Sequence, residues 1–272
     1  MLKICDAHND LLYKYKTKQN IQKYINKLPQ NIEKIFCAYF SYNNSSASVF
    51  DMKKKFSYLL SEKCVRTIEN AWFINKENFM SIIENDVFCA TLCHNKNNAL
   101  CGGAEDNGEI TQLGNFIIQK LEKNNVIVDT AHMNEKSFWQ FVHLTQKPIF
   151  NSHSGFYSIF SHNRNLKTSQ INEIVSSGGY IGLAMYPKFF TNNSYGIGDI
   201  AKNIIWFWEN FGTNTLGFGT DFNGINNYPT NLHNYFDLLT LAQKLIEFGA
   251  NREDINKLFS ENLLEFYKKI KA

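Results

Sequence analysis

The 272-residue sequence is poor in features that interrupt or divide a fold. It has only four prolines, and no Ser/Pro-rich linker, internal repeat or composition break separates one part from another. No apolar run approaches the ~20 residues that a membrane-spanning helix requires. The net charge is only +3 and the lysines are scattered, which excludes the concentrated basic face of a nucleic-acid-binding protein. The hydrophobic content of 44% supports a sizeable core, so we expect one domain covering residues 1–272.

The N-terminal stretch MLKICDAHND lacks the basic segment followed by an apolar segment that marks a signal peptide. All six cysteines lie in the first part of the chain, between Cys5 and Cys101, mostly within strand-like runs. Without export, they are expected to be free and mainly buried thiols in a reducing compartment. We therefore expect a cytoplasmic protein.

Short β-type runs alternate with segments of helical spacing along the whole chain. The strand-like runs cover residues 2–8, 33–42, 64–69, 87–93, 125–131, 147–152, 179–186 and 215–220. The helical segments cover residues 10–27, 48–62, 76–85, 110–124, 135–144, 169–177, 198–211, 232–248 and 252–270. This alternation predicts an α/β fold with a parallel sheet, and eight strands favour a (β/α)8 TIM barrel. An open doubly wound sheet is the alternative, but the glycine-rich dinucleotide motif is missing after the first run.

Metal-binding side chains end several of these runs. His8 and Asp10 end the first and lie two residues apart, so extended backbone points both to one side, where they can chelate one cation. Glu69 ends the third run and can bridge two cations through its two oxygens. His132 and His153 end the fifth and sixth runs and suit a second cation. Each residue alone has an ordinary explanation as a polar turn, a surface acid or a buried core histidine. Their convergence at one face of a parallel barrel favours a metal site at the C-terminal strand ends.

Three further residues are candidates for handling a substrate. His94 ends the fourth run and could stabilise charge on a carbonyl oxygen, or could simply cap a turn. Asp221 ends the eighth run and could act as a general base, or could be a metal-free turn residue. Arg164 could hold a carboxylate with both arms of its guanidinium, or could form a surface ion pair. A separate zinc or iron–sulfur site at Cys89, Cys93 and Cys101 with His94 is disfavoured, because the cysteine spacing fits neither pattern.

These residues stand in motifs that resemble those of the membrane (renal) dipeptidases, which are binuclear zinc peptidases of the amidohydrolase type. The resemblance runs from DAHND at the start, through Ile-Glu, Leu-x-His-Asn, Asp-x-x-His, Ser-His-Ser and Arg-Asn-Leu, to GTDFNG near the end. It covers nearly the whole chain. It implies a metallo-dipeptidase that uses two Zn²⁺, or other divalent cations, and a hydroxide between them to hydrolyse a small dipeptide. The C-terminal residue of that dipeptide is expected to have either the L or the D configuration.

The resemblance also implies a role for each residue. His8 and Asp10 match the ligands of the first zinc, His132 and His153 match those of the second, and Glu69 matches the bridging carboxylate. The remaining three matches concern the substrate. His94 matches the histidine near the scissile carbonyl, Arg164 the arginine that anchors the substrate, and Asp221 the acid/base aspartate.

Three departures from the family pattern bear on the substrate range. Asn70 follows the bridging glutamate where glycine is usual, Asn223 replaces the second aspartate of Asp-Phe-Asp-Gly, and Thr130 stands in the stretch before His132 where leucine is usual. The chain is also short for the family, so we expect trimmed loops around the pocket. Two alternatives stay open: a binuclear hydrolase of lactones, cyclic amides or phosphoesters, and an inert metal-binding barrel.

The expected partners are limited to the dipeptide substrate, without nucleic acid or membrane. The aromatic cluster Trp206-Phe207-Trp208 with Phe211 predicts either a helix packed on the barrel or a subunit interface. A homodimer is therefore an open alternative.

Overall fold

The computed structural model describes residues 1–42 and 48–272 of the chain. Within those residues, eight strands form one parallel sheet whose spatial order is their order in the chain. Each strand overlaps one of the predicted runs. The strands are β1 (Ile4–Asn9), β2 (Ile32–Phe40), β3 (Cys64–Glu69), β4 (Cys89–Thr91), β5 (Ile127–Asp129), β6 (Phe150–Ser154), β7 (Tyr180–Leu183) and β8 (Leu216–Phe218).

The sheet closes on itself where its last strand meets its first. Asn9 at the end of β1 forms a parallel bridge with Phe222, just after β8. The Asp10 backbone N–H donates to the Phe222 carbonyl at 2.9 Å, and the Asp221 N–H donates to the His8 carbonyl at 3.1 Å. The prediction of a (β/α)8 barrel is confirmed, and the open doubly wound alternative is wrong.

Helices cover the outside of the barrel between the strands. They are α1 (Leu11–Lys14), α2 (Lys18–Ile25), α3 (Val49–Phe56), α4 (Met80–Glu84), α5 (Gln112–Lys123), α6 (Glu135–Leu144), α7 (Thr168–Ser176), α8 (Ile197–Phe211), α9 (Leu238–Glu247), α10 (Arg252–Asn256) and α11 (Asn262–Lys271). A 3₁₀ turn lies at Pro187–Phe189, and a π-helical turn at Lys257–Glu261 joins α10 to α11.

The predicted helical segment 10–27 is two helices rather than one. Tyr15 is extended, with φ −105° and ψ 125°, and therefore ends α1. Thr17 starts α2 by accepting a hydrogen bond from the Asn20 N–H through its hydroxyl. Because threonine bonds readily to nearby backbone outside a helix, it favours a cap over continuation.

Aromatic side chains fill the inside of the barrel toward the N-terminal ends of the strands. Phe36, Phe88, Phe150 and Tyr180 belong to one buried cluster, which Phe266 of α11 closes from below. The Phe150 and Phe266 rings stack with their centroids 5.2 Å apart. This end of the barrel is therefore apolar and closed, and the polar side chains collect at the opposite, C-terminal ends of the strands.

The aromatic residues of α8 lie partly in the outer core. Phe207 is fully buried and its ring packs 5.2 Å from that of Phe156, while Trp206 and Trp208 are only partly buried. The helix thus packs on the barrel, which is the first of the two predicted arrangements. Across the described ranges, no helix is long and apolar enough to cross a membrane. All six cysteines are free, and only Cys64 is partly exposed.

Candidate metal centre and substrate cleft

The five predicted metal ligands lie together at the C-terminal mouth of the barrel. His8 lies in β1 and Asp10 follows that strand, Glu69 is the last residue of β3, and His153 lies in β6. His132 comes three residues after β5. Each of the five is at most 5% exposed. Buried histidines and carboxylates of this kind must be paired or must bind an ion, because an isolated buried charge is costly.

Glu69 stands at the middle of this group. One of its oxygens, Oε1, is 2.8 Å from Nε2 of His132 and 3.7 Å from Nε2 of His153. The other, Oε2, is 3.7 Å from Nε2 of His8, which in turn is 3.2 Å from Oδ2 of Asp10. The two oxygens of one carboxylate therefore face two different sets of ligands.

Neighbouring polar residues orient the two histidines on the far side of Glu69. Nδ1 of His132 lies 2.8 Å from Oδ1 of Asn95, an acceptor, so the ring donates its Nδ1–H there and keeps a lone pair on Nε2. Nδ1 of His153 lies 2.8 Å from the Ser152 hydroxyl. Such contacts fix the tautomer and the plane of metal-binding imidazoles. Neither Asn95 nor Ser152 was predicted from the sequence, although each adjoins a candidate histidine.

A buried aspartate below the mouth holds β1 against the end of β8. Asp6 accepts hydrogen bonds from the Thr220 N–H at 2.8 Å, the Thr220 hydroxyl at 2.6 Å and the His8 N–H at 3.2 Å. The Tyr235 hydroxyl also donates to Asp6 and accepts from the Asn9 amide at 2.7 Å. Asp6 thereby fixes the backbone that carries His8. The sequence signal for this residue was a lone aspartate inside an apolar run.

Asp129 has the same role between β5 and β6. Its Oδ1 accepts from the Ala131 N–H at 3.0 Å and from the Ser152 N–H at 2.9 Å. Those two amides directly precede His132 and His153. One buried carboxylate therefore sets the position of both histidine-bearing segments.

The mouth carries an excess of buried negative charge. Burial and the neighbouring Asp10 raise the pKa of Glu69 to about 8. The same two causes raise the pKa of Asp221 well above its usual range. Burial disfavours the charged form of His8, but the charges of Asp10 and Glu69 outweigh it and raise the pKa of His8 to about 10. Without added cations, the buried groups of the site therefore keep protons near neutral pH that exposed carboxylates would release.

The two histidines beyond Glu69 behave in the opposite way. Burial, together with the positive charge of Arg164, lowers the pKa of His132 well below its usual range, and burial and His8 do the same for His153. Both rings are thus neutral at pH 7, which is the form that binds metals.

The donor set fits divalent cations. Oδ1 of Asp10 is buried and has no hydrogen-bond partner among the described residues. One carboxylate oxygen at the centre of the site is therefore unpaired. The side chains form three groups, and within each group the ligand atoms all lie within 4.8 Å of one another. The groups are His8, Glu69 and His153; Glu69, His94 and His132; and His8, Asp10 and Asp221. Imidazole and carboxylate donors in this mixture suit Zn²⁺ and similar ions. None of the three groups contains a cysteine.

His94 and Arg164 flank the ligands. The His94 ring stacks on His132 with the centroids 4.2 Å apart, and burial followed by the charge of Arg164 lowers its pKa to about 4. Arg164 is 6% exposed and lies over the ring of Phe189 at 5.5 Å. Its Nη2 donates to the His153 carbonyl at 3.3 Å, but its Nε has no partner among the described residues. Burial lowers the pKa of Arg164 to about 10, so it stays charged at neutral pH.

Asp221 lies beside Asp10, on the β1 side of the mouth. Its backbone is left-handed, with φ 61°, and its carboxyl group is hydrogen-bonded to that of Asp10. Gly224 passes directly over this pair. A Cβ at Gly224 would lie 2.2 Å from Oδ2 of Asp10 and 2.6 Å from Oδ1 of Asp221. A side chain at this position would therefore force at least one of the two carboxyl groups to move, a constraint that was not predicted from the sequence.

A cleft of about 920 Å³ opens above these residues. His162 lies at its edge, where its Nδ1 accepts a hydrogen bond from the Arg164 N–H at 3.1 Å. The walls also include lysines and aromatic rings from several loops: Tyr13, Lys14, Phe40, Tyr42, Tyr186, Lys188 and Phe189. All eight residues predicted for the site line this cleft or belong to the ligand group below it.

Comparison with known proteins identifies the family of this barrel. The model of a family described as membrane dipeptidase (peptidase family M19) matches residues 42–272. The chain belongs to the membrane dipeptidase family. The resemblance that the sequence motifs indicated is therefore confirmed.

Two curated relatives match this membrane dipeptidase family member over part of their length. An uncharacterized dipeptidase of Schizosaccharomyces pombe is 27% identical over 190 residues, which make up 66% of this chain and 45% of that protein. Dipeptidase aclJ of Aspergillus oryzae is 24% identical over 161 residues, which make up 58% of this chain and 38% of that protein. The alignments thus span less than half the length of these relatives.

A solved structure shows the same fold over the whole chain. A metallopeptidase from Rhodobacter sphaeroides, liganded with a phosphinate mimic of the dipeptide L-Ala-D-Ala, aligns with a TM-score of 0.83 at 14% identity. The alignment covers 99% of each chain. The barrel is therefore that of a solved metallopeptidase.

The two asparagines that depart from the membrane dipeptidase pattern both have left-handed backbone. Asn70 has φ 67° and Asn223 has φ 71°. Glycine adopts this conformation most readily, and asparagine is among the best of the other residues. Asn70 also donates to the Ser41 carbonyl at 2.8 Å, and Asn223 donates to Oδ1 of Asn9 at 2.9 Å. Both asparagines therefore suit the left-handed backbone at their positions and form hydrogen bonds beside the ligands.

Proposed function

We propose that this chain is a metal-dependent dipeptidase and that residues 1–272 form its single catalytic domain. The observation that carries the proposal is the position of Glu69, whose two oxygens face His132 and His153 on one side and His8 on the other. One carboxylate between two sets of ligands suits a pair of cations. Family membership supports hydrolysis of a peptide bond.

In this proposal the cations are two Zn²⁺. His8 and Asp10 hold one, His132 and His153 hold the other, and Glu69 binds both. The orphaned Oδ1 of Asp10 and the neutral rings of His132 and His153 support this division. When bound, the two ions would supply a bridging hydroxide at neutral pH and would polarise the scissile carbonyl.

The other three residues act on the dipeptide. Arg164 holds the C-terminal carboxylate, which its unpartnered Nε and its retained charge support. His94, a neutral ring beside His132, donates a hydrogen bond to the carbonyl oxygen as charge develops there. Asp221 accepts a proton and passes it to the leaving amine. Burial raises the pKa of Asp221 and so allows it to hold that proton briefly.

The C-terminal residue of the substrate is proposed to have either the L or the D configuration. The Rhodobacter sphaeroides metallopeptidase was solved with a mimic of L-Ala-D-Ala, and this chain shares its fold. The cleft of about 920 Å³ leaves room around the C-terminal side chain. A cytoplasmic location and a homodimer stay predictions from the sequence.

The decisive experiment combines metal analysis with a dipeptide panel. The protein, loaded with Zn²⁺, is expected to hold two ions per chain and to hydrolyse L,L and L,D dipeptides. Asp221→Asn is expected to keep the ions and to lose about 10²–10⁴-fold in kcat. Glu69→Gln is expected to lose both ions.

Two results would contradict the proposal. Full activity in Asp221→Asn would remove the acid/base role, and unchanged metal content in Glu69→Gln would remove the bridge. Glu209→Gln, an exposed change on α8, is the matched control for loss of one negative charge.

A further inference from the structure

Three aromatic side chains form a continuous wall on one side of the cleft. The rings of Phe40 and Tyr42 meet edge to face with centroids 4.9 Å apart, and Tyr13 lies 5.3 Å from Phe40 and 6.3 Å from Tyr42. Tyr42 is 59% exposed, while Tyr13 and Phe40 are half-buried. We call these three residues the aromatic wall. An exposed group of packed rings at the mouth of a polar site offers apolar surface to whatever enters.

The inner edge of the aromatic wall reaches the candidate substrate-binding residues. The Phe40 ring lies 5.0 Å from the ring of His94, which itself stacks on the proposed ligand His132. A group bound against His94 is therefore directly beside Phe40. From there, Tyr13 and Tyr42 continue toward solvent.

The aromatic wall lies across the mouth from Arg164. Tyr13 follows β1 and Phe40 ends β2, whereas Arg164 follows β6. In a closed barrel of eight strands in chain order, β2 and β6 are four positions apart and so are opposite each other. A dipeptide with its carboxylate on Arg164 and its peptide bond over the ligands must extend its amino-terminal residue toward the wall.

Charge near the aromatic wall narrows the range of side chains that fit. Nζ of Lys16 lies 4.5 Å from the centre of the Tyr13 ring, and Lys14 lines the cleft beside it. Lys16 already occupies part of the negative face of the Tyr13 ring, so the wall attracts a basic side chain less than a free aromatic surface would. The rings bury apolar and aromatic side chains at little cost in ordering.

From this arrangement we propose that the aromatic wall binds the side chain of the amino-terminal residue of the substrate and selects aromatic or large apolar residues there. This proposal rests on the proposed dipeptidase function and assigns the substrate class within it. Phe40 contacts the side chain nearest the peptide bond, and Tyr13 and Tyr42 contact its outer part.

The test compares dipeptides that differ only in one residue or in residue order. The wild-type enzyme is expected to show kcat/KM for Phe-Ala about tenfold or more above that for Ala-Ala, with Lys-Ala below both. Phe40→Ala and Tyr42→Ala are expected to lower kcat/KM for Phe-Ala by about tenfold, and to lower it several-fold less for Ala-Ala and for the reversed dipeptide Ala-Phe. Phe248→Ala, which removes an exposed ring at the end of α9, is the matched control.

Several outcomes would overturn the aromatic wall as an amino-terminal subsite. These are equal turnover of Phe-Ala and Ala-Ala by wild type, equal losses for Phe-Ala and Ala-Phe in the variants, or an effect of Phe248→Ala as large as that of Tyr42→Ala. Tyr42→Ala changes a largely exposed side chain, so the test stands even if Phe40→Ala does not fold.

Calorimetry separates this proposal from the proposed function. Zn²⁺-loaded Asp221→Asn is titrated with Phe-Ala and with Ala-Ala, without need for turnover. Tighter binding of Phe-Ala, reduced by Tyr42→Ala in the same background, supports the aromatic wall, and equal binding overturns it. Absence of hydrolysis by wild type would count against the dipeptidase function alone.

Discussion

The Nε2 atoms of His132 and His153 lie 2.9 Å apart. Since His132 donates its Nδ1–H to Asn95, its Nε2 carries a lone pair, and in the metal-free protein a proton on Nε2 of His153 or on Oε1 of Glu69, 2.8 Å away, can bond to it. A cation bound by both rings would replace that proton. The position of these two nitrogens therefore couples metal binding, protonation and stability.

Removal of metal is expected to lower the melting temperature. A ligand present at about 1,000 times its dissociation constant stabilises the folded state by about 4 kcal/mol, which for a chain of this size corresponds to a Tm shift on the order of 10 °C. Thermal unfolding with Zn²⁺ and with a chelator measures the difference. His153→Ala should lose most of the Zn²⁺-dependent shift, whereas His143→Ala, on α6 outside the cleft, should keep it. Equal shifts in both variants would contradict the assignment.

The metal-free protein is expected to lose stability as the pH rises from about 6.5 to 8. In that window folded Glu69, with its pKa raised to about 8, and folded His8, with its pKa raised to about 10, keep protons that the unfolded chain has released. Because the folded state binds more protons, the free energy of unfolding falls with pH, by on the order of 1 kcal/mol or more over the window.

Urea unfolding of the chelated protein at several pH values measures this slope. Glu69→Gln should reduce the slope, because it removes one of the retained protons. With Zn²⁺ present the trend should reverse, since bound ligands must be deprotonated and metal affinity rises with pH. A free energy of unfolding that rises with pH in the chelated protein would show that the buried acids do not hold their protons.

Gly224→Ala is expected to abolish most of the activity. The added methyl group would lie 2.2 Å from Oδ2 of Asp10 and 2.6 Å from Oδ1 of Asp221, so at least one carboxyl group must move. A shift of about 1 Å at such a site costs on the order of 100-fold in rate. Gly198→Ala is the control, because its nearest neighbour is 4.0 Å away and the residue lies in α8. That change should leave activity intact, and similar losses in both variants would exclude the steric explanation.

Arg164→Lys is expected to weaken recognition of the free carboxylate. Lysine cannot reproduce the planar group that donates to the His153 carbonyl through Nη2 and has a second donor, Nε, without a partner among the described residues. We expect kcat/KM for a dipeptide to fall by about 10–100-fold, mainly through KM. A dipeptide amide should be a poor substrate for wild type and should be affected little by the substitution. Equal losses for acid and amide would show that Arg164 does not bind the carboxylate.

Tyr235→Phe tests the hydrogen bonds below the ligands. The Tyr235 hydroxyl lies between the Asp6 carboxylate and the Asn9 amide, both buried. Its removal takes one hydrogen bond from each of these two buried groups and is expected to cost about 1–3 kcal/mol of unfolding free energy. Tyr157→Phe, at a partly exposed site, should cost much less. Denaturant titration of both variants gives the comparison, and equal free energies would show that the hydroxyl contributes nothing.

The barrel and the site residues at strand ends could be predicted from the sequence because both depend on local patterns. Alternating apolar runs mark strands, and a histidine or carboxylate directly after a strand is placed at the mouth by the parallel order alone. The predicted helix bounds were less accurate where a side chain bonds to nearby backbone and ends the helix, as Thr17 does before α2.

The residues that orient the ligands were not predicted, since their partners are remote in sequence. Asp6 accepts hydrogen bonds from Thr220 and Tyr235, more than 200 positions later in the chain. The residues next to Asp6 in the sequence do not indicate those contacts. Asn95 and Gly224 were likewise missed, because their importance depends on atoms of His132, Asp10 and Asp221 that only the closed barrel brings near them.

The closure of β1 against the segment after β8 has a consequence for the order in which the site can form during synthesis. His8 and Asp10 leave the ribosome before Thr220 and Tyr235, which hold their strand through Asp6 and are added more than 200 residues later. A nascent chain that stops before β8 carries the first ligands without the strand that completes the ring. In the proposed enzyme, cation binding at His8 and Asp10 would therefore follow the meeting of the first and last strands.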